Sequence, residues 1–284
     1  MWPKIKSLLL QNISTRQTVA KNTFWLTVSN VGGRLIRAVV IIYAARILGA
    51  SGWGVFSYAI SLVTFLTVFI DVGISPILVR ETTKLREKPD ERARLLSTSF
   101  ILKSVFLGAA ILVTLFVVPR FSIEESVRVI LPITIAVLIF DTMRELGFSF
   151  IRALEKMEWE AGLYLATNAA IVTFGFVFLY TSPTVRSFAY AYAAGTGLGM
   201  VATLYVLRGY LSGIFHGFSW KTARYIVSSG WPFAISAILA MLMIDTDILI
   251  IGWLRGTGDV GLYSAAQRMI QLLYLLPSIL ATSL

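Results

Sequence analysis

The sequence predicts an all-α polytopic membrane protein with about eight transmembrane helices, and three observations carry that prediction. The mean hydropathy is +0.78. Apolar residues make up 57% of the 284 positions and charged ones only 14%, against about 25% in soluble domains. The apolar residues recur in blocks long enough to cross a bilayer as helices, with Trp and Tyr crowding the block edges as interfacial anchors.

Taken in order, residues 1–21 come first. Lys4, Lys6, Arg16 and Lys21 surround a short leucine patch at Leu8 to Leu10, and no small-residue cleavage site follows. A surface-lying amphipathic lead-in fits this better than a cleavable signal. Helices are predicted over 22–45, 53–78, 95–118, 128–150, 158–180, 185–207, 228–254 and 261–284. The breaks between them hold turn formers: Gly49 to Gly54, Pro89-Asp90, Pro119, Pro183, Gly209 to Gly217 and Gly256 to Gly261. The first six helices, 22–207, form one lobe; 208–227 is a linker; 228–284 opens a second lobe.

Counting Lys and Arg gives an orientation. With the N-terminus inside, the cytoplasmic segments hold fifteen basic residues, and the outer loops hold five: Arg46, Arg120, Arg128, Arg186 and Arg255. The excess predicts a multi-pass protein of the inner, cytoplasmic membrane with a cytoplasmic N-terminus. The net charge of +10 is then a consequence of topology and not a sign of nucleic-acid binding. The chain has no cysteine and one histidine, His216, in a polar linker, so thiolate and histidine metal sites are excluded. The loops are too short to fold as a catalytic domain, so no enzyme is expected.

A shift of 207 residues overlays the first two helices on the last two. "LGASGWGVFSYA" (48–59) falls on "RGTGDVGLYSAA" (255–266), matching Gly49 with Gly256, Gly54 with Gly261, Phe56 with Tyr263 and Ser57 with Ser264. Repeats of this kind build transporters from two bundles. If one repeat is six helices, a complete second repeat needs on the order of 150 further residues, so the chain is expected to be the N-terminal part of a longer protein.

The stretches "NTFWLTVSNVGGRLIRAVVIIYAARILGASGWGVFSYA", "FIDVGISPILVRETTK" and "SGWPFAISAILAMLMIDTDILIIGWLRGTGDVGLYSAAQ" together resemble the polysaccharide flippases, the Wzx-like branch of the multidrug/oligosaccharidyl-lipid/polysaccharide (MOP) exporter superfamily. The resemblance implies twelve to fourteen helices in two lobes. It also implies translocation of an undecaprenyl-pyrophosphate-linked oligosaccharide by alternating access, with membrane lipids, polysaccharide polymerase and glycosyltransferases as partners. No cofactor is implied beyond a coupling proton or sodium ion. Other branches stand as alternatives, namely a peptidoglycan-precursor flippase or a drug/cation antiporter, as does a truncated remnant that does not transport. A cation exporter should present acidic mid-membrane faces, which the arginines of the first helix argue against.

Thr23, Thr27, Asn30, Arg34 and Arg37 lie on one face of that helix. Two arginines inside an apolar span must face a wet cavity or a partner, because one facing lipid costs about 2.5–3.5 kcal/mol or more. A guanidinium fork suits a pyrophosphate; ion pairing with Asp71, Asp141 or Glu145 is the other reading. Gly32 and Gly33 beside them allow close helix approach. Asn30 and, in helix 8, Arg268 are further substrate-binding candidates, and Gln267 and Gln271, one turn apart, are candidates for sugar hydroxyls or for hydrogen bonds between helices. Lys103, Arg144 and the carboxylates Asp71, Asp141 and Glu145 form either pairs, Asp141 with Arg144 and Glu145 with Lys103, or an ion-coupling site. Asp245-Thr246-Asp247 mimics the DxD of metal-dependent glycosyltransferases but sits in an apolar helix, where coupling or pairing fits better. "GTGLG" (195–199) reads as helix packing through Gly195 and Gly199 rather than dinucleotide binding.

Overall fold

A computed structural model describes residues 15–85, 88–120, 124–210 and 217–273. Residues 1–14 of the expected 1–21 lead-in, His216 and the end of the last helix from 274 lie outside these residues, as does the side chain of Gln271, whereas 15–21 form the start of the first helix. Among the described residues all regular structure is helical. The helices are α1 (Thr15–Asp71), α2 (Ile74–Lys84), α3 (Pro89–Leu112), α4 (Glu125–Ala153), α5 (Met157–Thr181), α6 (Val185–Leu207), α7 (Trp220–Ile244), α8 (Thr246–Arg255) and α9 (Thr257–Leu273). A π turn over Val113–Val117 and a 3-10 turn over Val118–Arg120 extend α3.

Among the described residues six stretches are long and apolar enough to cross a membrane, and the first of them, Ala20–Asp71, is 52 residues long. Gly49 divides it, with φ 68° and ψ 178° in an otherwise helical run. This region of backbone space is open essentially to glycine alone. The two arms fold back on each other there. A straight helix would hold Arg34 and Thr67 about 50 Å apart at 1.5 Å per residue, yet both line one cavity.

Two predicted helices are broken. The expected 53–78 ends at Asp71, where Val72 and Gly73 take positive φ. The Asp71 carboxylate then accepts the Ser75 N–H at 3.3 Å and its hydroxyl at 2.6 Å, starting α2 afresh. The expected 228–254 is divided at Asp245, between α7 and α8. Asp and Thr side chains compete with the helical backbone for hydrogen bonds and favour such boundaries.

One core joins α1 to α4, α5, α6, α8 and α9 through Val40, Trp53, Phe56, Ile130, Ile171, Phe188, Ile248 and Val260. A second gathers α2, α3, α4, α6 and α7 around Ile77, Leu95, Phe148, Leu207 and Ile226. Between α5 and α6, Gly195 and Gly199 face Ile171 and Thr167 so closely that a Cβ would collide with either. The "GTGLG" stretch is therefore a packing seam. Gly33 meets Tyr164 and Asn168 of α5 in the same way. Large apolar side chains such as Val105, Phe116 and Leu239 are more than half exposed, as on a surface that meets lipid tails.

Candidate functional site

The arms of α1 enclose, with α4, α5, α6, α7 and α9, a cavity of about 660 Å³. Arg34 and Arg37 come from the first arm and Ser61, Thr64 and Thr67 from the second. Asp141 comes from α4, Tyr164 from α5, Tyr192 from α6, Asp245 from the α7–α8 boundary and Arg268 from α9. Three arginines thus converge against two aspartates, with hydroxyls and phenols between them.

The arginines are held differently. Arg37 donates its Nε to Asn168 Oδ1 at 2.8 Å and lies over the Tyr192 ring, 5.8 Å from its centroid. Arg268 has a buried Nε with no hydrogen-bond partner among the described residues. Arg34 is exposed and makes no hydrogen bond or ion pair among the described residues. Of the pairing candidates Asp71, Asp141 and Glu145, Asp141 faces the same cavity as Arg34 and Arg37 but makes no direct salt bridge to either among the described residues.

The carboxylates have other partners. Asp141 lies 2.7 Å from Arg144, whose guanidinium also sits over the Phe148 ring. The expected Lys103–Glu145 pair does not form. Buried Lys103 meets Asp71 at 2.8 Å and the Ser75 hydroxyl at 2.9 Å, because the break after Asp71 turns that carboxylate toward α3. Glu145 instead pairs with Arg152 at 3.1 Å, alongside the buried Glu160. Asp247 accepts the Tyr263 hydroxyl, outside the cavity. Gln267 donates to the Ile244 carbonyl at 2.8 Å, tying α9 to α7. Asn30 bonds to Leu26 of its own helix and does not line the cavity.

Of the sequence candidates, then, Arg34, Arg37, Asp141, Asp245 and Arg268 meet in one place. Asn168, Tyr164 and Tyr192 are site residues that sequence reasoning missed. Asn168 had a signal, being an amide in the middle of an apolar helix; the two tyrosines, among eleven in the chain, had none.

A cationic, membrane-embedded cavity in an all-helical, multi-pass protein defines the class: a membrane protein with the fold of MOP-superfamily transporters. A solved multidrug resistance MATE family transporter of that superfamily, in an outward-facing conformation, superposes with a TM-score of 0.62 over 93% of this chain and 63% of its own, at 16% identity. Residues 19–284 match the polysaccharide biosynthesis protein family, and the chain belongs to it. A Shigella flexneri protein provisionally assigned as an O-antigen transporter is 23% identical over 275 residues. That alignment takes in 92% of this chain, which spans 64% of the relative's length.

Proposed function

We propose that this chain belongs to a flippase carrying an undecaprenyl-pyrophosphate-linked oligosaccharide across the inner membrane by alternating access, from the cytoplasmic to the outer face, with the N-terminus cytoplasmic. The observation that carries the reading is the convergence of Arg34, Arg37 and Arg268 on one cavity, with Arg34 unpartnered among the described residues. Unspent guanidinium donors converging on one polar cavity suit an oxyanion such as a pyrophosphate, which each fork can hold through paired hydrogen bonds. A volume of about 660 Å³ falls in the usual range for small-ligand pockets, about 300–1,000 Å³. It suits a headgroup and the sugar next to it, with Tyr164, Tyr192 and the hydroxyls of Ser61 and Thr64 offering stacking and hydrogen bonds. Asp141 and Asp245, facing the same space, are the candidates for binding a coupling proton or sodium ion. The family match and the O-antigen assignment of the relative support the same substrate class.

The test is Arg34→Ala in the whole protein, with surface polysaccharide and membrane insertion both measured. Export should fall at least tenfold while the protein still inserts. Full export from the inserted variant would remove Arg34 from substrate contact.

A further inference from the structure

Glu124 is the residue just before α4, where a side chain ordinarily caps its own helix. It does not do so: its carboxylate makes no capping bond to the α4 backbone. It reaches instead to a residue 133 positions away, accepting the Thr257 N–H at 2.9 Å and the Thr257 hydroxyl at 2.7 Å. Thr257 is the first residue of α9. Gly256 before it has no side chain to offer as a cap, and a Cβ there would stand 2.9 Å from Glu124 Oε1. Glu124 therefore supplies in trans the cap that α9 lacks, satisfying an orphan N–H and setting a negative charge at the positive end of the helix dipole.

Beside this contact α1 and α9 cross as closely as two helices can. A Cβ on Gly54 would land on the Thr257 carbonyl, and one on Gly261 would land on the Ala50 carbonyl. Small residues four apart, Ala50 with Gly54 and Thr257 with Gly261, let the backbones touch. All of it lies at the membrane face holding residues 118–120, 124 and 256–257, the outer one in the proposed orientation. Separation of the two bundles at this face must break the Glu124 bonds and the crossing together.

We propose that Glu124 is a latch: its carboxylate holds the start of the second bundle against the first and keeps the cavity closed toward this face. The reason the latch must open rests on the alternating-access reading above; its existence as a closing contact does not.

The experiment uses the full chain in lipid nanodiscs. The chain has no cysteine, so nitroxide labels attach only at Ser51→Cys and Gly258→Cys, two exposed positions flanking the crossing. Pulsed electron paramagnetic resonance then reads the separation of the two helix starts. One short population is expected with Glu124 present. In Glu124→Ala a longer population should appear, the open-to-closed ratio rising about tenfold, as the loss of charge-assisted hydrogen bonds implies. Glu124→Gln keeps one acceptor oxygen and should lie between. A control pair inside the first bundle, Ser51→Cys with Tyr180→Cys, should not move. An unchanged Ser51–Gly258 separation in Glu124→Ala overturns the latch. So does a shift of both pairs, which would give Glu124 a role in folding the first bundle. No substrate is needed, so failure here leaves the transport reading untouched, and failure of Arg34→Ala to block export leaves the latch untouched.

Discussion

Gly49 and Gly256 sit at corresponding turns, 207 residues apart, and they adopt one backbone conformation. Gly49 has φ 68° and ψ 178°; Gly256 has φ 87° and ψ 177°. Each opens a helix whose fifth residue is a glycine pressed against the other helix. The surroundings of the two turns differ. Among the described residues nothing stands where a Cβ on Gly49 would go, whereas Gly256 is covered by Glu124. The backbone thus repeats while the side chain that fastens it does not. Geometry inherited from a repeat says how the helices meet, and a single unrepeated carboxylate says how tightly one of them is held.

The largest expected effect comes from breaking what the two regions share. Gly54→Val and Gly261→Val each drive a branched side chain into a backbone carbonyl, so both should unfasten the α1–α9 crossing. Both should lower the thermal unfolding midpoint of the protein in detergent by similar amounts. A crossing that tolerates one and not the other would show that the contact is not reciprocal.

Alanine at the turns should separate the two regions. Gly49→Ala costs only the backbone strain of a disfavoured region, about 1–3 kcal/mol. Gly256→Ala carries that strain and also displaces Glu124, so it should be the more destabilising in the same measurement. In a Glu124→Ala background the gap between the two should close.

The smallest effect is that of pH. The Thr257 N–H lowers the pKa of Glu124 most; partial burial works the other way, and the Thr257 and Ser126 hydroxyls lower it further. A carboxylate with a depressed value favours the latched form fully above the ordinary range, about pH 4. That contribution is lost as pH falls through the depressed value. The titratable group facing Glu124 from α1 is Tyr58, which is neutral over this range. Arg255 and Asp259, on the same turn as Thr257, pair with each other at 3.0 Å. Acidification should therefore raise the longer Ser51–Gly258 population modestly, and Glu124→Gln should flatten that response.

Much of the fold was legible because bilayer-length apolar blocks and turn residues are local features. The breaks at Asp71 and Asp245 were not, since each lies in a run apolar enough to read as one helix. The first depends on how Asp71 spends its hydrogen bonds, on the Ser75 N–H and hydroxyl. The cavity was legible in part: the period that puts Arg34 and Arg37 on one face is intrinsic to the helix, so two arginines in a span declare a polar space. Their partners were not, because which of Asp71, Asp141 and Glu145 meets a given cation depends on helix rotation. Lys103 shows this, finding Asp71 instead of Glu145. Glu124 is the extreme case, an ordinary loop carboxylate whose importance lies in a partner 133 residues away.

The reciprocal crossing has one more consequence. Ala50 meets Gly261 while its aligned residue, Thr257, meets Gly54. Contacts that exchange in this way are those of a two-fold homodimer, in which one surface recognises itself. Here both faces belong to one chain, so the crossing carries a local two-fold that Glu124, fastening one side alone, breaks.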